Sequence, residues 1–283
     1  EGDIITHIDG VGVMEVPDLN YLLRDKAGKQ VRISLLSTDG KAKTDQILKP
    51  MSAQAESNLR YNEWEYTRRL ETETKSDGAL GYVHLRAMTS GDIGQWYRDF
   101  YPQFKKDGLV IDMRQNRGGN IDSFILEKLM REVFFYWKSR TGEPYWNMPY
   151  AFRGHLVLLV DEFTASDGEA FAEGFRRLGM GKAIGARTWG GEVWLSGSNT
   201  LSDNGIARAP MNGVYGEEGE WLIEGVGFIP DIEVINLPKA TFDGKDAQLE
   251  SAIEHLKTLI KADPRPIPQA PAYPDKSFKN GKN

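Results

Sequence analysis

Four short segments carry residues able to do chemistry. In Val160-Asp161-Glu162-Phe163-Thr164-Ala165-Ser166-Asp167-Gly168-Glu169 an apolar run gives way to a helix-spaced stretch. Ser166 thus stands at the C-terminal end of a strand and near the positive end of a helix dipole, a place from which a hydroxyl can act as a nucleophile. Ser166 followed three residues later by Glu169 is equally a capping box, which needs no catalysis. In Ile111-Asp112-Met113-Arg114-Gln115-Asn116-Arg117-Gly118-Gly119-Asn120 the paired glycines let the backbone turn its N–H groups outward toward an anion or a developing oxyanion. A tight strand-to-helix loop would use the same pair. Ile184 to Gly191 is rich in turn residues. In Ile223-Glu224-Gly225-Val226-Gly227-Phe228-Ile229-Pro230-Asp231 a single carboxylate sits among apolar residues and glycines. Glu224 can orient a polar partner or polarise water there, or it is a solvated turn carboxylate.

Alternating strand and helix patterns must position these segments. Strand patterns cover Gly81 to Leu85, Leu109 to Asp112 and Leu156 to Val160, and helix patterns run through 92–104, 121–135, 168–178 and 248–260. Ile121, Phe124, Ile125 and Leu129 share one helix face, as do Leu249, Ala252, Ile253, Leu256 and Ile260, so these stripes are core and carry no chemistry. The fold class expected is α/β with a largely parallel sheet. Residues 1–50 alternate short apolar runs with Asp-Gly turns around one helix pattern at Leu19, Leu22 and Leu23, with Gly28 as its stop, and predict a small β-rich unit. Residues 51–79 are polar and read as a connector, residues 80–262 as the main domain. The prolines after Asp263 predict an extended tail over 263–283.

A chain of 283 residues, 40% hydrophobic and 27% charged, has ordinary globular composition and room for one large domain and a smaller one. A net charge of −6 leaves no basic field for a phosphate backbone, which excludes nucleic acid as the main partner. With no cysteine there is no disulfide, thiolate zinc site or cysteine nucleophile. No apolar run is long enough to span a membrane. No cofactor or metal is implied, since no His/Asp/Glu cluster has ligand spacing and the glycine pairs lack the phosphate-binding fingerprints. Glu1-Gly2-Asp3-Ile4-Ile5 reads as the middle of a domain, so the sequence predicts a fragment with further chain upstream.

In this order and spacing, the four segments resemble the tail-specific peptidase clan of serine peptidases, most closely its tricorn core protease branch, over residues 80–262. The resemblance implies a crotonase/ClpP-like catalytic domain in which Ser166 attacks a peptide carbonyl to form an acyl-enzyme. It implies an oxyanion hole from the backbone N–H groups of Asp167 and Gly119, with Gly118 beside the substrate, and a catalytic role for Glu224. Residues 1–50 resemble the later part of a PDZ domain, with Asn20 to Lys26 as its second helix and its first strand and carboxylate-binding loop missing. Peptides or unfolded polypeptides are the implied substrates and a homo-oligomer the implied assembly. The implied compartment is the cytoplasm, with the periplasm as the alternative because related bacterial peptidases are exported.

Three departures from the family pattern limit what carries over. Gly191 stands where the processing branch has its lysine base. The histidine base of the tricorn branch belongs to a segment before the PDZ domain, outside this chain, and His7, His84, His155 and His255 read as structural or exposed. The chain by itself is therefore expected to be nearly inactive. Where the tricorn pattern places an aspartate selecting basic side chains, this chain has Trp137, within Phe134-Phe135-Tyr136-Trp137-Lys138. An apolar or aromatic preference replaces the basic one, and the aromatic cluster is alternatively core or a subunit contact. Two other readings stand beside the peptidase: a non-catalytic peptide-binding scaffold of the same fold, and a crotonase-like acyl-CoA enzyme.

Overall fold

The computed structural model describes residues 2–197 and 199–275, and the chain divides into two compact units, residues 1–67 and 68–283. In the first unit β1 (Ile4–Ile8), β2 (Val11–Gly12), α1 (Leu19–Leu23), β3 (Val31–Leu36) and β4 (Lys43–Leu48) form an antiparallel sheet of order β2-β1-β3-β4 beside one short helix. Asp9 and Gly10 join β1 to β2 with φ of 50° and 86°, the paired left-handed residues that an Asp-Gly hairpin turn supplies. Ile8, Val31 and Ile33 are its buried centre, and Leu22 and Leu23 of α1 pack against them. Asp18 caps α1 by accepting from the Asn20 N–H, and the helix ends at Leu23, one turn before Gly28. The polar stretch after residue 51, to which the sequence pattern assigns no element, contains α2 (Ala53–Lys75). It has no glycine or proline, and Glu56–Arg60 and Glu71–Lys75 pairs at i,i+4 support a helix whose apolar residues are too sparse to show a stripe.

The second unit has β5 (Leu80–His84), α3 (Asp92–Phe100), β6 (Gly108–Asp112), α4 (Asp122–Leu129), β7 (Tyr136–Trp137), β8 (Tyr145–Trp146), β9 (His155–Val160), α5 (Asp167–Arg177), β10 (Gly181–Gly185), β11 (Trp194–Leu195), β12 (Pro210–Asn212), β13 (Ile232–Glu233), α6 (Pro238–Phe242) and α7 (Ala247–Ala262). Its main sheet has the order β13-β10-β9-β6-β5 and every neighbouring pair is parallel. Successive side chains of a strand point to opposite faces. Leu156, Leu158 and Val160 of β9 therefore join α3, α4 and α5 on one side, while Val157 and Leu159 join α7 on the other. Helices on both faces follow from near-continuous apolar strands, which have no solvated side.

Three details differ from the pattern read in the sequence. The helix expected over 121–135 ends at Leu129, and Phe134 and Phe135 beyond it are exposed. β10 occupies the start of the segment read as turn-rich, because its two terminal glycines hide a core of only Ala183 and Ile184. β13, two residues long at the sheet edge, has no pattern to read. The proline-rich end has no helix or strand through residue 275, and residues 276–283 lie outside the described residues. Arg153 donates to the carbonyls of Arg265 and Pro266 at 3.0 and 2.7 Å, and Arg265 donates back to the carbonyls of Arg153 and Gly154 at 3.3 and 3.2 Å. No described helix is long and apolar enough to cross a membrane.

Under the α7 side of the sheet lies a buried polar network. Arg114 pairs with Asp112 at 2.6 Å and with Asp246 at 2.8 Å, and Arg68 reaches Asp246 at 3.2 Å. Asp246 also accepts from the Leu249 N–H at 3.1 Å as the cap of α7.

Candidate active site

In a parallel sheet the loops after the strands emerge on one edge, so the chain leaving β5, β6, β9 and β10 converges there. The loop after β9 is fixed first. Thr164 Oγ1 donates to the Met113 carbonyl at 2.9 Å and accepts from the Asp161 N–H at 3.0 Å, while Asp161 Oδ1 accepts from the N–H groups of Gln115 and Phe163. Ser166 follows, half-buried, with φ 51° and ψ −126°. A serine with positive φ is strained backbone, and such strain concentrates where a side chain must be presented at a sharp strand-to-helix turn. Glu169 holds the turn: its Oε2 accepts from the Ser166 N–H at 3.1 Å, the glutamate half of a capping box. The capping reading and the presentation of Ser166 are therefore compatible.

The Gly118-Gly119 loop lies directly against this turn. Asn116 Nδ2 donates to the Leu85 carbonyl at 2.7 Å, and its Oδ1 accepts from the Gly118 N–H at 2.8 Å. The Met88 N–H donates to Gly118 O and the Asn120 N–H to Met88 O, at 2.8 and 2.7 Å. Both glycines are required by contact. A Cβ on Gly118, whose φ is +77°, would sit 2.5 Å from the Ser166 Cβ, and one on Gly119 would sit 1.8 Å from the Met88 carbonyl oxygen. Neither the Gly119 N–H nor the Asp167 N–H donates a hydrogen bond among the described residues. Two unspent backbone donors flanking a presented hydroxyl can stabilise an oxyanion.

Asp167 does a second job through its side chain. Its Oδ2 accepts from the N–H groups of Ile121 and Asp122 at 2.8 and 3.1 Å, tying the first turn of α5 to the start of α4 and so to the glycine loop. Burial, and next the Asp122 charge, push the Asp167 carboxyl up to about 7. An acid held above its ordinary value costs the folded state stability as pH rises from that ordinary value toward 7. Asp122→Asn removes the charge, so its unfolding temperature relative to the unmodified protein is expected to rise between about pH 5 and about pH 8. Calorimetry at both pH values checks this, and an unchanged difference would show that the two carboxyls do not interact.

How the third and fourth segments meet is written in no local pattern. Glu169 Oε1 accepts from Gly190 N–H at 2.7 Å, with Thr188 Oγ1 donating at 2.5 Å, and Oε2 accepts from Gly191 N–H at 3.0 Å. The next two N–H groups, of Glu192 and Val193, both donate to Glu224 Oε2 at 2.8 Å. Four consecutive N–H groups of the 190–193 strap are thus divided between Glu169 and Glu224. Glu224 is exposed yet fixed in place, so it differs from a freely solvated turn carboxylate. Ile223 before it has φ +67°, an outlier for a β-branched residue.

Sequence reasoning missed Glu192, whose buried position no single-residue pattern marks. Trp137 is not joined to this constellation by any described interaction. It lies on the β7-β8 hairpin, stacked on Tyr145 with ring centres 6.4 Å apart, and is 47% exposed, so the aromatic cluster is not core. Beside the strap an apolar recess of about 430 Å³ is lined by Val193, Pro210, Met211 and Trp221, with Glu224 at its margin. His84 Nδ1 donates to the Asp112 carbonyl, 2.7 Å away, with Tyr82 on the α7 side of the sheet, and burial lowers its pKa. His155 contacts the Asp263 carbonyl at 2.8 Å, at the start of β9 and away from Ser166.

Comparison with known proteins gives a consistent result. The sequence profile of peptidase family S41 matches residues 79–234. The tricorn protease of Thermoplasma acidophilum is 32% identical over 273 residues, 96% of this chain and 25% of that protein. Tricorn protease homolog 1 of Streptomyces coelicolor is 32% identical over 267 residues, 94% of this chain and 25% of that one. The chain therefore spans about a quarter of the length of these relatives. The crystal structure of tricorn protease superposes on 92% of this chain and 25% of its own with a TM-score of 0.80 at 31% identity. Mature CPAF, at 13% identity and a TM-score of 0.50 over 94% of this chain and 78% of its own, shares the fold alone.

Proposed function

Since this chain belongs to peptidase family S41, we propose that it carries the nucleophile half of a serine peptidase that hydrolyses peptides or unfolded polypeptides through an acyl-enzyme on Ser166. The observation that carries the reading is the pairing of a strained, presented serine with two unspent N–H donors, Gly119 and Asp167. In the reaction Ser166 Oγ forms the ester bond as the amine leaves with a proton, and water then releases the acid. The developing oxyanion lies against the Gly119 and Asp167 N–H groups, with Gly118 keeping the approach open. Glu224, fixed by the strap, orients the group that takes the Ser166 proton. Resemblance to the tricorn branch implies that this base is a histidine supplied by a further segment; in support, Gly191 takes the place of a lysine, and His84 and His155 are engaged elsewhere.

The second unit is read as a crotonase/ClpP-like catalytic domain over 80–262, with 51–79 as connector, residues 1–50 as the later part of a PDZ domain, and 263–283 as an extended tail. The recess beside Glu224 favours an apolar side chain of the substrate, with Trp137 as a second candidate specificity position. A homo-oligomer and a cytoplasmic location belong to the same proposal.

A serine-directed fluorophosphonate tests the reading, because crotonase-type acyl-CoA chemistry needs no nucleophile at this position. Full-length protein is expected to be labelled at Ser166, located by peptide mass spectrometry, and this chain alone to label far more slowly. Peptide binding by full-length protein without label at Ser166 would favour the scaffold reading.

A further inference from the structure

Glu192 lies at the centre of the strap, 4% exposed, and its Oε2 has no hydrogen-bond partner among the described residues. The charged groups that face it are Asp167 and Glu169 from α5, Asp122 from α4, and Glu224 from the loop before β13, and all are acidic. Its own N–H and that of Val193 hold Glu224 Oε2 at 2.8 Å. Resting on the peptidase reading, we propose that Glu192 is a positioning residue whose uncharged acid form keeps the 190–193 strap closed on Glu224, so that the site is assembled only while this carboxyl holds its proton.

The physical reason is that an ionised carboxylate at this position would be buried, unpartnered and surrounded by like charge. The alternative is to move the strap outward, toward water. That movement would break the two N–H bonds that place Glu224, leaving the Glu169 half of the strap as the hinge. Burial first, then the charges of Asp167 and Glu169, push the Glu192 carboxyl up to about 8 from an ordinary 4.5. An acid whose folded value is raised favours the closed strap below that value, and the preference is lost as pH rises through it. The expected consequence is an alkaline limb in kcat/KM set by Glu192 and carried by the placement of Glu224.

The test uses full-length protein and Glu192→Gln, which stays uncharged at every pH, with Glu192→Leu as a second uncharged variant should the amide fold poorly. Hydrogen exchange of the peptide spanning 190–193 is followed by mass spectrometry near pH 7 and near pH 9.5 and corrected for intrinsic rates, alongside kcat/KM over the same range. The unmodified strap is expected to exchange roughly tenfold faster at the higher pH, and the uncharged variants to show neither this opening nor the alkaline limb. Equal protection of the unmodified strap at both pH values, or an opening and a limb that persist in the uncharged variants, would overturn the inference and leave the peptidase reading intact. A strap that opens as expected in a protein that neither cleaves peptides nor labels at Ser166 would overturn the peptidase reading alone.

Discussion

Ser166→Ala is expected to lower kcat/KM for peptide cleavage by the full-length protein about 10⁴- to 10⁶-fold, with little change in peptide affinity or unfolding temperature. The size of the loss follows from what remains. In the proposed mechanism the Gly119 and Asp167 N–H groups would still face the carbonyl and binding would be untouched, so a residual rate above the water reaction should persist while the covalent route is gone. Stability changes little because alanine at φ 51° is strained as serine is, and the bonds that shape the turn come from the Ser166 backbone, Glu169 and Thr164. Single-turnover cleavage and calorimetry of the same preparation separate the two effects. Cleavage at the unmodified rate would remove Ser166 from the chemistry and, with it, the acyl-enzyme.

Much of this site could be read from local sequence, because each half is a short stretch of backbone chemistry. The strand-to-helix position of Ser166 is written in the apolar run of β9 and the stripe of α5, and the Gly-Gly turn in two adjacent residues. The parallel sheet follows from near-continuous apolar strands, yet β10 and β13 escaped: β10 has glycines at both ends and only two buried apolar side chains between them, and β13 is two residues at the sheet edge, so neither forms a pattern. Glu169 was legible as a cap. Its larger task, gathering Gly190, Gly191 and Thr188 from a loop some twenty positions on, is a long-range contact with no periodicity. Glu192 was invisible for the same reason: its environment is made by Asp122, Asp167, Glu169 and Glu224, which come together only in the fold.

The helix of residues 53–75 shows the opposite limit. Its stability as a local element comes from the absence of breakers and from i,i+4 ion pairs, each worth only about 0.3–0.5 kcal/mol. Composition alone makes such a stretch look like a polar connector, because amphipathic periodicity is the stronger signal.

Arg114→Ala is expected to cost about 3–5 kcal/mol of stability at neutral pH, the range for removing one partner of a buried ion network. The guanidinium is 3% exposed and spans two buried carboxylates, Asp112 at the end of β6 and Asp246 at the cap of α7. Removing it leaves Asp112 with the Tyr82 hydroxyl at 2.8 Å and the residue 114 N–H at 3.0 Å, and Asp246 with Arg68, Asn236 and the Leu249 N–H, too few cations for two buried charges. Burial acts to raise the Asp246 pKa, but the Arg114 charge overrides it and holds the carboxyl well below the usual range. A carboxylate with a depressed folded pKa contributes stability that is present above its unfolded value, near pH 4, and is lost as pH falls through the folded one. In Arg114→Ala that depression is largely gone and a buried charge is relieved by protonation, so the gap between the two proteins should narrow below about pH 4. Denaturant unfolding at neutral and acid pH reads both features, with an unchanged slope and a shifted midpoint as the expected form. Because β6 leads directly into the loop bearing Gly118 and Gly119, the variant should also loosen the Gly119 N–H, proposed as an oxyanion donor, and lose activity at temperatures where it remains folded. A cost below about 1 kcal/mol would mean that the network only balances its own desolvation, and that apolar packing of α7 against the sheet alone anchors the end of β6.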